Sequence, residues 1–411
     1  MEEKLEKVKK ILKQENEEQL LANFDTLNSF QKEVLLDQIL QIDFKQIKEL
    51  YSNVGKKTEN ENAEIEAIPY VEKAKINDEK YFNKGVEIIE QNKFAVVTMA
   101  GGQGTRLGHD GPKGTFILNV RPEPKSIFEL LCDTLKKANE KYHVSIPWYI
   151  MTSRENNDDT VSFFEKNNYF DYNKNDVKFF MQGQIPMVNK DGKILLNEDG
   201  LIKMAADGHG GVFESMFKNG IVDDIKKRGI EWIYIGPVDN PLTQMVDEIW
   251  LGLAEEKNVM SAGKSVVKAN PEEKVGVFCL KNGRPSVVEY TEISEKMANR
   301  RDENGELAFG ESHINCNMFN IKGIEKIGAE KLPYHIAFKK ANYMDENGKV
   351  VIASKPNSYK FESFIFDAFE KLDNMIILRV KREDEFAPVK NAEGVDSPET
   401  AIKLYNDFYN L

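Results

Sequence analysis

Short apolar runs alternate with helix signals between about residues 94 and 250, and this order limits the fold more than any other feature. Phe94-Ala-Val-Val-Thr-Met-Ala100 is an apolar strand running into glycines. Ser126-Ile-Phe-Glu129 has capping-box spacing and opens a helix to about Tyr142. Ile146-Pro-Trp-Tyr-Ile-Met-Thr152 is the next strand, followed by a helix around Asp159 to Lys166. Val177-Lys-Phe-Phe-Met181 is a third strand and Glu231-Trp-Ile-Tyr-Ile-Gly236 a fourth, with a helix from about Thr243. Strands separated by helices can pair side by side only through crossovers, so the expected fold is α/β, with a Rossmann-like parallel core.

Asp191-Gly192 and Asn282-Gly283 stand between apolar runs and read as tight hairpins, which suggests a small antiparallel layer over the main sheet and makes the sheet mixed. Residues 1–90 read as a charged helical region. Leu5, Val8 and Leu12 share a face, Leu20, Leu21, Phe24 and Leu27 form a second stripe, and Val34, Leu35, Ile39 and Ile42 a third. Asp43 is placed to cap a further turn carrying Ile47, Leu50 and Tyr51, and Ser52 to Ala67 reads as a polar linker. Ala401, Leu404 and Phe408, after Ser397, are spaced as one short closing helix. The expected division is 1–90 helical, 91–391 the main α/β domain and 392–411 a C-terminal helix.

A chain of 411 residues buries a large core without covalent staples, and its three cysteines, Cys132, Cys279 and Cys316, have no zinc or disulfide spacing. That fits a reducing, cytoplasmic setting. The N-terminal MEEKLEKVKKILKQENEEQ has no apolar segment of a signal peptide, and no apolar run approaches the 18 or so residues that span a bilayer. With 56 Lys plus Arg against 68 Asp plus Glu, the net charge of −12 argues against nucleic acid as a partner. An anionic small ligand would need a locally basic site.

Such a site is present in Met99-Ala-Gly-Gly-Gln-Gly-Thr-Arg-Leu-Gly108, continuing to Gly111-Pro-Lys-Gly114. It follows the first strand of the α/β alternation, where open sheets bind ligands. Glycines let backbone N–H groups approach an anion, and Arg106 and Lys113 add cationic donors for phosphate oxygens. It is not a Walker A loop, since Lys113 is followed by Gly114. Gly263-Lys264-Ser265 lacks the earlier glycine, with Asn258 at that position, and no kinase motif is present.

Ala100–Gly108 with Pro112-Lys-Gly114 resembles the signature loop of the UDP-sugar pyrophosphorylases, and within them the eukaryotic-type UDP-N-acetylglucosamine pyrophosphorylases. Further matching blocks, in collinear order from about 90 to 400, are Ile146–Ser153, Phe179–Gly183, Met204-Ala-Ala-Asp-Gly-His-Gly-Gly211, Val238-Asp-Asn240, Val288-Glu-Tyr290, Lys355-Pro-Asn357 and Arg382–Asn391. The resemblance implies a nucleotidyltransferase core that condenses UTP with N-acetylglucosamine 1-phosphate, with Mg²⁺, to UDP-N-acetylglucosamine and pyrophosphate. A sugar-phosphate oxygen attacks the α-phosphorus in line, so the site must position two anions and neutralise charge.

Carried over residue by residue, the resemblance places Met99, Ala100, Gly101 and Gly102 on the nucleotide, Arg106 on the leaving pyrophosphate and Lys113 near the α-phosphate. It puts Gln182 and Gly208 on the uracil, Asp239 on Mg²⁺ or the uridine phosphates, and Lys360 and Lys390 opposite the phosphates. Glu289 and Tyr290, with His209 and His313, fall at the sugar. Each has a plainer reading: Asp239 as a helix cap before Asn240-Pro241, Gln182 as a loop amide, Glu289 as a solvent-facing strand carboxylate, and the two lysines as solvated. His209 and His313 stand where the family usually has Asn, which bears on the sugar. Glucose or galactose 1-phosphate is the alternative substrate, and a non-catalytic UDP-sugar binding protein the alternative class. Longer relatives continue into a further C-terminal lobe, which this chain is expected not to require. Neither membrane nor nucleic acid is expected as a partner, and the sequence leaves monomer and homodimer open.

Overall fold

The computed structural model describes residues 1–56 and 63–411. They form two compact units, each assembled from three stretches of chain. The expected linker over Ser52–Ala67 falls partly outside the described residues.

The larger unit comprises residues 63–182, Val212–Leu332 and Ile365–Leu411. Its sheet contains β1 (Ile65–Ala67), β2 (Val71–Glu72), β3 (Phe94–Met99), β4 (Trp148–Thr152), β5 (Val177–Met181), β6 (Trp232–Pro237), β7 (Ser261–Val267), β8 (Val277–Lys281), β9 (Arg284–Val288), β10 (Glu311–Asn320) and β11 (Met375–Arg379). The main path runs β2-β11-β7-β10-β6-β3-β4-β5. All neighbours on it are parallel except those of β10, which is antiparallel to both β7 and β6. Every residue of β3 is buried, as a parallel strand covered on both faces requires. Trp148 and Trp232 fill the core on either side of it and keep their indole N–H groups satisfied, donating to Thr98 Oγ1 and Glu255 Oε2, each at 2.9 Å.

The helix after the glycine loop covers Ile127–Tyr142. The Ser126 hydroxyl accepts from the Glu129 N–H at 3.1 Å, and His143 ends the helix in the left-handed region. The closing helix covers Pro398–Phe408 and is capped by Ser397.

Three expectations change. The helix expected from Thr243 begins at Glu248, because Asp247, not Asp239, accepts the cap bond from the Trp250 N–H at 3.2 Å. The two hairpins do not make one layer: Asn282-Gly283, with φ of 50° and 76°, joins β8 to β9 and enters the main sheet where Val277 pairs with Ser312, whereas Asp191-Gly192 lies in the smaller unit. Residues 65–72 contribute strands β1 and β2 rather than helix, their backbones taken up by the edges of β8 and β11.

The smaller unit comprises the N-terminal segment, Gly183–Gly211 and Pro333–Phe364. Its helices are Glu2–Glu15, Ser29–Gln41 and Phe44–Ser52, the last capped by Asp43 accepting from Gln46 N–H at 3.0 Å. Leu20 and Phe24 pack from single helical turns. The stripes converge on a core of Val8, Leu12, Leu20, Leu35, Leu36 and Ile39 with Ile185, Val188 and Phe361. A three-stranded sheet of Val188–Asn189, His335–Lys339 and Ser358–Glu362 backs that core. No described helix is long and apolar enough to cross a membrane.

Candidate active site

The glycine loop leaves the carboxyl end of β3. Ala100 N–H donates to Met151 O at 2.7 Å, and beyond it the chain folds back on itself. Gly104 N–H donates to Gly111 O at 2.9 Å and Lys113 N–H to Gly102 O at 3.0 Å. This closure leaves the backbone N–H groups of Gly101, Gly102 and Gln103 without a bond to any described residue. A Cβ on Gly101 would lie 2.7 Å from Gln182 Oε1, so only glycine lets the Gln182 carboxamide close over the loop. Arg106 lies in the Thr105–Leu107 turn, exposed and unpaired among the described residues.

β3 and β6 deliver the next groups together. Val238 N–H donates to Met99 O at 3.1 Å, which sets Asp239 beside the start of the loop. Lys113 Nζ lies 3.4 Å from Asp239 Oδ2, both side chains about one-fifth exposed. Val389 N–H donates to Asp239 O at 2.8 Å, bringing Lys390 into the same place. The Lys390 ammonium is partly exposed, 3.6 Å from Asp396 and over the Phe386 ring. The larger unit thus gathers Met99, Ala100, Gly101, Gly102, Arg106, Lys113, Gln182, Asp239 and Lys390 around the carboxyl ends of two parallel strands.

A second group in the same unit centres on Gly276. His313 N–H donates to Gly276 O at 2.8 Å, and a Cβ at Gly276 would sit 3.0 Å from Glu289 Oε1. Glu289 follows β9 rather than lying in it, and Tyr290 beside it is exposed. The His313 ring packs edge-on to Phe278, its Nε2 3.1 Å from Asn317 Oδ1.

Gly208, His209 and Lys360 belong to the smaller unit. Gly208 has φ 88°, and a Cβ there would lie 2.2 Å from Ser363 O, so the turn against Ser363 excludes a side chain. The His209 ring lies near Phe364, and burial, with His335 nearby, pushes its pKa down to about 4, although the residue as a whole is only partly buried. Lys360 Nζ bonds Glu362 Oε1 at 2.7 Å.

Several further groups were given no site role by the sequence. Lys264, wholly buried on β7, bonds Glu385 Oε2 at 2.5 Å and Asp247 Oδ2 at 2.7 Å, and Lys73 lies 2.6 Å from Asp247. Burial alone would raise the Asp247 pKa, but Lys264 and Lys73 outweigh it and hold the carboxyl well below the usual range. Burial, with the Asp247 charge beside it, leaves Glu385 the easier of the two to protonate. Glu385 opens the segment that ends at Lys390. Its carbonyl accepts from Asn240 Nδ2 at 2.7 Å, and Asn240 Oδ1 accepts from Ala387 N–H at 3.0 Å. Asn156, fully buried in the turn after β4, contacts the glycine loop directly.

Comparison with known proteins identifies the family of the chain. The UTP–glucose-1-phosphate uridylyltransferase family model matches residues 43–404. The chain is 34% identical to the UDP-N-acetylglucosamine pyrophosphorylase of Saccharomyces cerevisiae, covering 97% of this chain and 88% of the yeast one. It is 35% identical to UDP-N-acetylglucosamine diphosphorylase 2 of Arabidopsis thaliana over 96% of this chain and 82% of that one. Among solved structures, the uridine diphosphate N-acetylglucosamine pyrophosphorylase of Trypanosoma brucei superposes with a TM-score of 0.82 at 28% identity, covering 98% of this chain and 84% of that one. The chain therefore belongs to the UTP–glucose-1-phosphate uridylyltransferase family, alongside its UDP-N-acetylglucosamine pyrophosphorylases, and is a nucleotidyltransferase that moves a uridylyl group from UTP to a sugar 1-phosphate.

Proposed function

We propose that the chain condenses UTP with N-acetylglucosamine 1-phosphate, using the glycine loop and the Lys113–Asp239–Lys390 group as its chemical centre. The observation that carries this reading is the meeting of three unbonded loop N–H groups with Lys113 and Asp239 at the ends of β3 and β6. An oxygen of the sugar phosphate forms the new bond to the α-phosphorus, and the bond to the bridging oxygen breaks with its electron pair going to pyrophosphate. No protein atom enters that bond change, so catalysis rests on orientation and charge. Lys113 and Lys390 stabilise the charge that builds on the α-phosphoryl oxygens, and Arg106 holds the departing pyrophosphate.

The residues fit Mg²⁺. No described group of three or more His, Cys, Asp or Glu side chains forms a cage, and Asp239 offers one accessible carboxylate. A magnesium ion keeps most of its waters and is held by one or two carboxylates plus substrate phosphates, which suits Asp239. When bound it supplies charge neutralisation on the phosphates. Gln182 and Gly208 are assigned to the uracil, Glu289, Tyr290, His209 and His313 to the sugar, and Lys360 to the phosphates. The chemistry is assigned to residues 91–391. The three cysteines are buried and free, which supports a reducing, cytoplasmic setting.

Pyrophosphate release from UTP with N-acetylglucosamine, glucose and galactose 1-phosphates in parallel tests the reading. N-acetylglucosamine 1-phosphate is expected to react fastest. A faster reaction with glucose 1-phosphate favours the second reading, which the name of the UTP–glucose-1-phosphate uridylyltransferase family supports. No release with any sugar would leave a binding protein.

A further inference from the structure

The turn between β4 and the helix Asn157–Lys166 presses the Asn156 side chain against the glycine loop. Asn156 is fully buried. Its Nδ2 donates to Ala100 O at 2.9 Å and to Gly102 O at 3.3 Å, and its Oδ1 accepts from Ser153 N–H at 2.8 Å. Its backbone is independently fixed, since its carbonyl accepts from Thr160 N–H at 2.9 Å. Every bonding group of the carboxamide except one oxygen lone pair is in use, so it has one orientation.

A trans peptide is planar, with its C=O and N–H pointing in opposite directions. The peptides that carry Ala100 O and Gly102 O also carry the N–H groups of Gly101 and Gln103. Drawing the two carbonyls back toward Asn156 therefore turns those two N–H groups away from it, outward from the loop. They are two of the three loop N–H groups that bond nothing among the described residues. Both residues retain exposed surface, while Asn156 retains none.

We propose that Asn156 is a positioning residue which aims the Gly101 and Gln103 N–H groups at the phosphates of UTP. This rests on the reading of the glycine loop as the phosphate cradle. It extends that reading to a residue that touches no substrate, yet sets the direction of two donors that do. A residue that only stabilised the fold would weaken every ligand alike. A residue that aims phosphate donors weakens ligands in proportion to the phosphates they carry.

The experiment measures binding of uridine, UMP, UDP and UTP to the full chain in magnesium-containing buffer. The variants are Asn156→Asp, Asn156→Ser and, as a reference for the loop, Lys113→Ala. Asn156→Asp keeps the acceptor for Ser153 N–H but turns an oxygen toward the two carbonyls. Asn156→Ser retains one short donor. Uridine affinity is expected to stay within about twofold of wild type, while UTP affinity falls by about tenfold or more in Asn156→Asp and less in Asn156→Ser. An unchanged UTP-to-uridine ratio in both Asn156 variants, with a lowered ratio in Lys113→Ala, overturns the role of Asn156 and leaves the loop reading standing. An unchanged ratio in all three overturns the loop reading as well. Loss of the circular dichroism spectrum in both Asn156 variants would make the residue purely structural and also overturns the proposal.

Discussion

Lys113 and Asp239 are held 3.4 Å apart, both partly open to solvent, and their value lies in charge rather than in packing. Solvent still reaches both groups, so Lys113→Ala is expected to stay folded, with a stability loss of about 1–2 kcal/mol for the unpaired Asp239. Its turnover is expected to fall by an amount equivalent to about 2–4 kcal/mol of transition-state stabilisation. Pyrophosphate release within about threefold of wild type would remove Lys113 from the chemistry. Asp239 caps no helix, which leaves its carboxylate available to a cation. Asp239→Asn is therefore expected to raise the Mg²⁺ concentration for half-maximal rate more than the KM for sugar phosphate. An unshifted Mg²⁺ requirement would remove the metal role.

His209 supplies a pH dependence with a definite sign. Its folded pKa is pushed down to about 4, against 6.5 for a free imidazole. Between those values the unfolded chain binds the proton and the folded chain does not, so this group's contribution declines as pH falls from about 6.5 toward 4. By pH 5 the loss is about 2 kcal/mol. Asn carries no such proton, so His209→Asn should gain on wild type by that amount between pH 7.5 and pH 5 in urea unfolding. A stability difference that does not move with pH would mean the ring is solvated.

Among the elements, β3, β4, β5 and β6 were legible because a buried parallel strand writes itself as a short apolar run, and the glycine loop because its composition is local. The network around Lys264 was not. A lysine normally reads as exposed, and nothing in Gly263-Lys264-Ser265 announces that Asp247 and Glu385 will close on it from distant parts of the chain. Asn156 was hidden for the same reason, since a polar residue in a turn reads as surface. Asp239 could be read from the sequence either as a site candidate or as a helix cap, and the capping reading fell only when the helix proved to start nine residues later, under Asp247. Because the Lys264 network is buried, its removal is costly. Lys264→Met leaves two buried carboxylates with only Lys73 and is expected to lose about 3–5 kcal/mol in urea unfolding. Adding Glu385→Gln to it should restore a good part of that loss. The deficit of the single variant should also shrink at acid pH, where Glu385 takes up a proton. If the double variant is no more stable than the single one, Glu385 is not held by charge.

For the whole molecule, the two units were the least legible feature, because each depends on pairings between stretches that lie far apart in the sequence. Their connectivity has a consequence for unfolding. The larger unit carries two inserts of about 30 residues, whereas the pieces of the smaller unit are separated by two stretches of about 120. If the smaller unit unfolds first, the larger has only two modest loops to close. If the larger unfolds first, the smaller must hold together across loops about four times as long. Each doubling of loop length costs about 0.6 kcal/mol, so the two longer loops together disfavour that order by about 2 kcal/mol. The larger unit also has the more extensive apolar core. The smaller unit is thus expected to open first, with amide hydrogens of the strands His335–Lys339 and Ser358–Glu362 exchanging before those of β3 and β6. Under the proposed function UTP contacts the loop after β3, so saturating UTP should slow exchange of β3 and β6 by mass action, and Lys113→Ala should abolish much of that slowing. Exchange of both units at one common rate without ligand would show that the molecule unfolds as a single cooperative body.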